Sequence, residues 1–120
     1  MLFLAGAVQI LLTLVWWLVE LATRATGFLS PATALPATWG HGFLMVYGVL
    51  PFFIFGFLFT VYPRWLRGAA IGRRAYVPVF ALLFGGILLF TTGLFLDRRI
   101  VALALMLFLA GWAGALVSLF

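Results

Sequence analysis

Residues 41–62 read HGFLMVYGVLPFFIFGFLFTVY, and this stretch decides the fold because it contains no Asp, Glu, Lys or Arg. A membrane span needs about 20 mostly apolar residues, since each residue adds about 1.5 Å to a helix. The stretch therefore predicts a transmembrane helix. Pro63 follows it directly and is expected to end it, because proline has no backbone N–H to continue the helical hydrogen bonds.

Three further segments have the same length and character: residues 2–21, 77–96 and 100–120. Together the four segments predict an all-α polytopic membrane protein, an antiparallel bundle of four transmembrane helices that forms one domain over residues 1–120. The composition agrees, since 68% of the residues are hydrophobic and only 8% are charged. A soluble domain carries about 25% charged residues, so this chain has too few to cover a surface in water.

The charged residues lie mainly in the connections between the apolar segments. Net charge is +5 and all seven cations are arginines, a pattern typical of membrane-flanking loops and not of nucleic-acid binding. The basic loop 63–76 carries four arginines, whereas the opposite side carries three. By the positive-inside rule this loop is predicted to be cytoplasmic, with the lipid bilayer as the main partner of the chain and no nucleic acid.

Few residues can carry chemistry. The chain has no cysteine, which excludes disulfides, thiolate zinc sites and iron–sulfur clusters. Two acids and one histidine leave few groups for acid–base catalysis, so we assign no enzymatic reaction.

The one histidine begins a line of residues at helical spacing in the second segment. A metal-competent imidazole and a thioether at the top of such a line, followed by glycines and flat rings, could border a planar cofactor. The alternative is that the glycines only let helices approach and that the histidine is hydrogen-bonded at the membrane interface. Pro51 leaves the Tyr47 carbonyl without its usual donor, which predicts a kink. The line consists of His41, Met45, Gly48, Phe52, Gly56 and Phe59.

The first segment contains two pairs of polar residues. The members of each pair are four residues apart, a spacing that places both on one helix face. Glu20 and Arg24 are predicted to form a structural ion pair at the end of the span. Gln9 and Thr13 lie deep in the span, and we expect them to hold neighbouring helices together.

The stretch from His41 to Trp65 resembles the signature helix of the NnrS family. The family pattern has His, Met four residues later, an aromatic residue and Gly, then Gly-Phe-Leu-x-Thr and Pro-x-Trp. The chain matches it without a gap at His41, Met45, Tyr47, Gly48, Gly56, Phe57, Leu58, Thr60, Pro63 and Trp65. The family commonly has a second histidine and an acid soon after the first histidine, where this chain has Phe43 and Leu44.

The resemblance implies a multi-pass protein of the bacterial inner membrane, linked to the nitric oxide stress response and denitrification. It implies haem or copper as cofactor, with His41 as the metal ligand and Met45, Tyr47 and Gly48 as further cofactor-binding residues. Family members have many more spans than four. The chain is therefore expected to be an N-terminal fragment or a diverged short relative, completed by additional transmembrane helices or by a homo-oligomer.

Three functions remain open from the sequence. The first is an NnrS-like protein that binds haem or copper. The second is a non-catalytic membrane scaffold or assembly subunit whose helices associate through small residues. The third is a channel or small-solute transporter subunit, for which only Gln9, Thr13 and the carbonyl freed by Pro51 offer polar groups inside the membrane.

Overall fold

A computed structural model of the chain describes residues 1–28 and 31–120, and within them the secondary structure is entirely helical. Four helical stretches are long and apolar enough to cross a membrane, and the second of them, Ala37–Trp65, consists of two helices. The predicted all-α architecture with four spans is thereby confirmed. The helices are α1 (Leu2–Thr26), α2 (Ala37–Val46), α3 (Leu50–Trp65), α4 (Arg73–Leu96) and α5 (Arg98–Leu119).

The helices extend beyond the apolar segments from which they were predicted. Helix α1 continues to Thr26 and ends at Gly27, whose left-handed φ of 73° suits glycine. Helix α3 includes residues 63–65 of the basic segment and helix α4 includes residues 73–76, so that only residues 66–72 form the connection. The reason is that a helix satisfies its backbone groups internally and can continue into the interface. Leu29 and Ser30, between α1 and α2 in the sequence, lie outside the described residues.

Helices α4 and α5 form the most extensive contact in the molecule. Asp97 is the single residue between them, and its carboxylate caps α5 by accepting from the Arg99 N–H at 2.9 Å. Gly93 and Gly86 let the two backbones approach. A Cβ on Gly93 would lie 2.7 Å from the Val101 nitrogen, and one on Gly86 would lie 3.2 Å from the Phe108 nitrogen. Glycines of this kind allow close van der Waals packing, which is what joins helices in lipid.

Helices α1 and α3 interlock through glycines on both sides. The Phe53 ring of α3 lies over Gly6 of α1, and the Phe3 ring of α1 lies over Gly56 of α3. The two rings also meet, with centroids 6.0 Å apart. Each glycine thus forms a recess for an aromatic ring of the other helix.

The outer surface is apolar, as a lipid-facing surface requires. Leu4, Leu11 and Leu18 recur every seven residues along one side of α1 and are 64–70% exposed. Large exposed apolar surfaces are rare on soluble monomers. The exposed helix faces are therefore assigned to contact with the bilayer.

We expect Gly56→Leu to destabilise the protein more than Phe57→Leu. A side chain at Gly56 would enter the space of the Phe3 ring, 3.1 Å from the position of its Cβ, whereas Phe57 is 46% exposed. Overpacking of this kind costs about 1–3 kcal/mol. Thermal melts of both variants in detergent measure the difference, and equal midpoints would contradict the assigned α1–α3 contact.

The α4–α5 contact can be tested with two glycines of one helix. We expect Gly93→Ala to lower the melting temperature, because its Cβ would press on backbone atoms that cannot move aside. Gly85→Ala is the matched control, since a Cβ there has nothing within 4 Å and alanine favours a helix by about 1 kcal/mol over glycine. Comparable losses for both variants would show that the contact is not made as described.

Candidate functional site

The second span is broken at Tyr47–Val49, near the middle of the predicted continuous helix 41–62. The Phe43 carbonyl accepts from Tyr47 at 2.7 Å and from Gly48 at 3.3 Å, which widens the last turn of α2. Helix α3 then begins with Pro51 in its first turn, where a missing N–H is tolerated. At the position where Pro51 predicts a kink, the structure thus has a wide turn that separates α2 from α3.

The break changes which residues of the second span face the interior. The fully buried residues of α2 are Ala37, Gly40 and Leu44. His41 and Met45, one position further along, are only half-buried. The predicted line is therefore buried from Gly48 to Phe59. Its first two residues, His41 and Met45, lie beside the buried face of α2.

His41 lies against two tryptophans of α1. Its imidazole stacks on the Trp17 ring with centroids 4.2 Å apart and planes inclined by 11°. Trp16 lies at 6.5 Å on a tilted plane. The Nδ1 atom of His41 is buried and has no hydrogen-bond partner among the described residues. A buried polar atom without a partner is costly, so this nitrogen is a candidate for binding something that the chain does not supply.

An ion pair lies next to this aromatic cluster. Arg24 binds the Glu20 carboxylate at 3.0 Å, as predicted from their spacing. The guanidinium also lies 5.7 Å from the centre of the Trp17 ring, within cation–π range. Glu20 is 4% exposed, so the pair neutralises a buried carboxylate at the end of α1.

Tyr47 is directed away from His41, toward α5. Its ring stacks on Phe43 at 5.2 Å and meets Phe108 edge-on at 6.4 Å. This part of the molecule is an apolar groove of about 600 Å³ with an aromatic wall. The structure thus brings His41 together with Trp16 and Trp17, and it does not bring His41 together with Tyr47.

Gln9 and Thr13 are buried, and they hydrogen-bond to each other within α1 at 3.1 Å. This bond lies within α1, as the spacing of four residues allows, and the pair makes no hydrogen bond to a neighbouring helix among the described residues. The pair faces a cleft of about 270 Å³ between α1, α2 and α4, which we call the membrane cleft. Its lining consists of Gln9, Leu12, Thr13, Trp16, Leu44, Leu88, Thr91, Thr92, Leu94 and Phe95.

The contact of Trp16 and Trp17 with His41 was not predicted from the sequence. One signal was available. Gln9, Thr13, Trp16 and Glu20 follow one another at steps of 4, 3 and 4, which is one face of a helix. A polar and aromatic face on an otherwise apolar span indicates that it faces protein and not lipid.

The described residues offer few ligands for a metal ion. Within residues 1–28 and 31–120, no group of three or more His, Cys, Asp or Glu side chains is placed to hold a metal ion. His41 can supply one nitrogen ligand, and Met45, one turn further along α2, carries a thioether.

Comparison with known proteins gives one finding. The family model described as "NnrS protein" matches residues 1–119, which is nearly the whole chain. Neither the curated proteins nor the solved structures include a significant match to this chain.

Gly48 permits the break between α2 and α3, and we expect Gly48→Ala to disturb it. A Cβ at this position would collide with the Leu44 carbonyl oxygen. Gly42→Ala is the control, since a Cβ there meets nothing within 4 Å. A loss of about 1–3 kcal/mol is expected for Gly48→Ala alone, measured by thermal or denaturant unfolding in detergent. Unchanged stability in both variants would contradict the wide turn at Phe43.

Proposed function

The chain belongs to the NnrS family, and on that premise we propose that it acts in the nitric oxide response of the bacterial inner membrane, with haem or copper held at His41. It is an NnrS-like multi-pass membrane protein. The observation that carries the cofactor proposal is the buried Nδ1 atom of His41, which lacks a protein partner among the described residues.

The residues around His41 fit one ligand position. A metal-bound imidazole needs a fixed ring plane and a nitrogen with a free lone pair. Stacking on Trp17 holds the plane, and the buried nitrogen has no competing hydrogen bond within residues 1–28 and 31–120. Met45 lies four residues after His41, hence on the same side of α2, and its thioether suits Cu(I) and haem iron. When bound, such a group supplies one-electron chemistry.

The protein around His41 shields and orients the proposed ligand. Trp16 and Trp17 cover the imidazole from α1, which keeps water from that side of the ring. The nearest charged groups on α1 are Glu20 and Arg24, which neutralise each other. The Glu20 carboxylate is therefore not free to compete for a cation. For Tyr47 and Gly48, the family resemblance alone supports a cofactor role, because the contacts of Tyr47 lie toward α5.

One ligand position does not complete a haem or copper site. The remaining ligands would come from additional transmembrane helices or from a second copy of the chain. We also propose that the basic segment 63–76 faces the cytoplasm, since its four arginines outnumber the three at the other end of the helices.

A non-catalytic scaffold is the second candidate. It is favoured by the absence of a group of three metal-binding side chains within the described residues. It is also favoured by the glycine-lined contacts of α1 with α3 and of α4 with α5, which are the kind used for helix association.

The cofactor proposal is tested on the full chain, expressed with haem and copper supplied and purified in detergent. We expect a Soret band or bound copper in the wild type, its loss in His41→Ala and a weaker or shifted signal in Met45→Leu. Met106→Leu is the control, because Met106 is a 68% exposed methionine on α5. Absorption spectra and elemental analysis by mass spectrometry measure both cofactors.

Two results would contradict the cofactor proposal. One is a wild type that holds neither haem nor copper at any stoichiometry. The other is a His41→Ala variant whose spectrum and metal content equal those of the wild type, which is what the scaffold function predicts.

A further inference from the structure

We propose that the membrane cleft is a binding site for a lipid-soluble ring compound that bears a carbonyl oxygen, the chemistry of a quinone ring. The cleft is separate from the metal-binding role proposed for His41 and does not depend on it. Three features carry the proposal: unused hydrogen-bond donors on the floor of the cleft, apolar walls, and an opening toward lipid.

The Gln9–Thr13 pair has more donors than the chain uses. Its amide and hydroxyl groups carry three polar hydrogens, and the pair's one hydrogen bond uses one of them. The other two have no acceptor among the described residues. Donors left without acceptors inside a membrane are costly, because no water is present to replace the missing partner.

Thr13 differs in this respect from four other hydroxyl residues inside the spans. Thr60, Thr91, Thr92 and Ser118 each donate to the carbonyl four residues earlier, at 2.7–2.9 Å. This back-bond is the usual way in which a helix satisfies a hydroxyl in lipid. Thr13 instead accepts from Gln9, and no back-bond to its own helix is present. Thr13 lines the cleft, and its hydroxyl hydrogen has no acceptor among the described residues.

The burial of the pair restricts what can reach it. Gln9 is 6% exposed and Thr13 is 1% exposed, so another transmembrane helix has no access to them. The rim of the cleft is formed by Leu12, Leu88 and Phe95, which are 57%, 50% and 40% exposed. A small molecule dissolved in the bilayer can enter between these three side chains, and it reaches the Thr13 hydroxyl when they move aside.

The combination of donors and apolar walls selects the ligand. An acyl chain would leave both donors unmet, and water would leave the leucine and phenylalanine walls wet. A ring that carries a carbonyl oxygen satisfies both, since the oxygen accepts from the pair while the ring packs on Trp16 and Phe95, which meet edge-on at 6.3 Å.

The depth of the pair separates a ring carbonyl from a phospholipid ester carbonyl. The apolar part of α1 runs from Leu2 to Val19, about 27 Å of helix, and the pair lies at its middle. The hydrocarbon core is about 30 Å thick, so ester carbonyls at its edge lie about half that distance away. A quinone ring dissolved in the bilayer can reach this depth.

The experiment titrates the full chain in detergent with decylubiquinone and follows quenching of tryptophan fluorescence, because Trp16 lines the cleft. We expect saturable quenching in the wild type. Thr13→Val removes the hydroxyl with little change of shape and is expected to raise the dissociation constant about tenfold, the effect of losing one hydrogen bond. Thr13→Ser restores the hydroxyl and is expected to restore binding.

Thr60→Val is the matched control, since Thr60 back-bonds within α3 and lies outside the membrane cleft. Quenching that never saturates, or that is equal in the wild type and Thr13→Val, would overturn the proposal. A short-chain phosphatidylcholine is added as competitor. We expect it not to displace the quinone, and displacement would assign the site to a lipid ester instead. The titration uses chain expressed without added haem or copper, so that a cofactor at His41 does not itself quench Trp16 and the outcome is independent of the cofactor proposal.

Discussion

The absence of water inside the bilayer is the constraint on which this structure depends. Every backbone N–H and C=O in the spans must find its partner within the protein, which is why the apolar segments are helices. Lipid also gives apolar side chains no reason to prefer a neighbouring helix. Helix association therefore depends on close approach, and it occurs where a missing side chain allows it. Gly93 and Gly86 admit the backbone of α5, and Gly6 and Gly56 admit the rings of Phe53 and Phe3.

The break at Tyr47–Val49 is a local exception to this constraint, and its position explains why it is tolerated. Gly48 and Val49 are buried within the protein, where irregular backbone is not exposed to lipid. The Phe43 carbonyl satisfies two N–H groups at the break, and the proline in the first turn of α3 has no N–H to satisfy. The break also separates two environments, since His41 lies against the tryptophans of α1 whereas Tyr47 lies against the aromatic residues of α5.

The same constraint explains the polar side chains inside the membrane. Hydroxyls bond to their own helix, and Glu20 is neutralised by Arg24. The groups without a complete set of partners among the described residues are the Gln9–Thr13 pair and the His41 Nδ1 atom, together with the Trp112 indole nitrogen. Trp112 meets the Phe55 ring edge-on at 5.0 Å, a geometry compatible with an N–H directed at a ring face. The first two adjoin Trp16, which places both proposed sites on the same face of α1.

Much of the fold could be predicted from the sequence, and less of the site. The four spans follow from length and hydropathy, and the Glu20–Arg24 pair from its i,i+4 spacing, because these features depend on one helix alone. The place of His41 beside Trp17, and the separation of His41 from Tyr47, could not be predicted in this way. They depend on which helix faces approach each other and on a wide turn that shifts the buried face of α2 from His41 to Gly40 and Leu44.

The sequence by itself determined that this chain forms apolar helices suited to a membrane. It also contains the family signature along the second span. The tertiary structure alone decided that Trp16 joins the His41 cluster to the membrane cleft, and that Tyr47 lies toward α5. The physical reason is that periodicity reports neighbours along a helix. Contacts between helices depend instead on where glycines let backbones meet, and in lipid nearly every face of these helices is equally apolar.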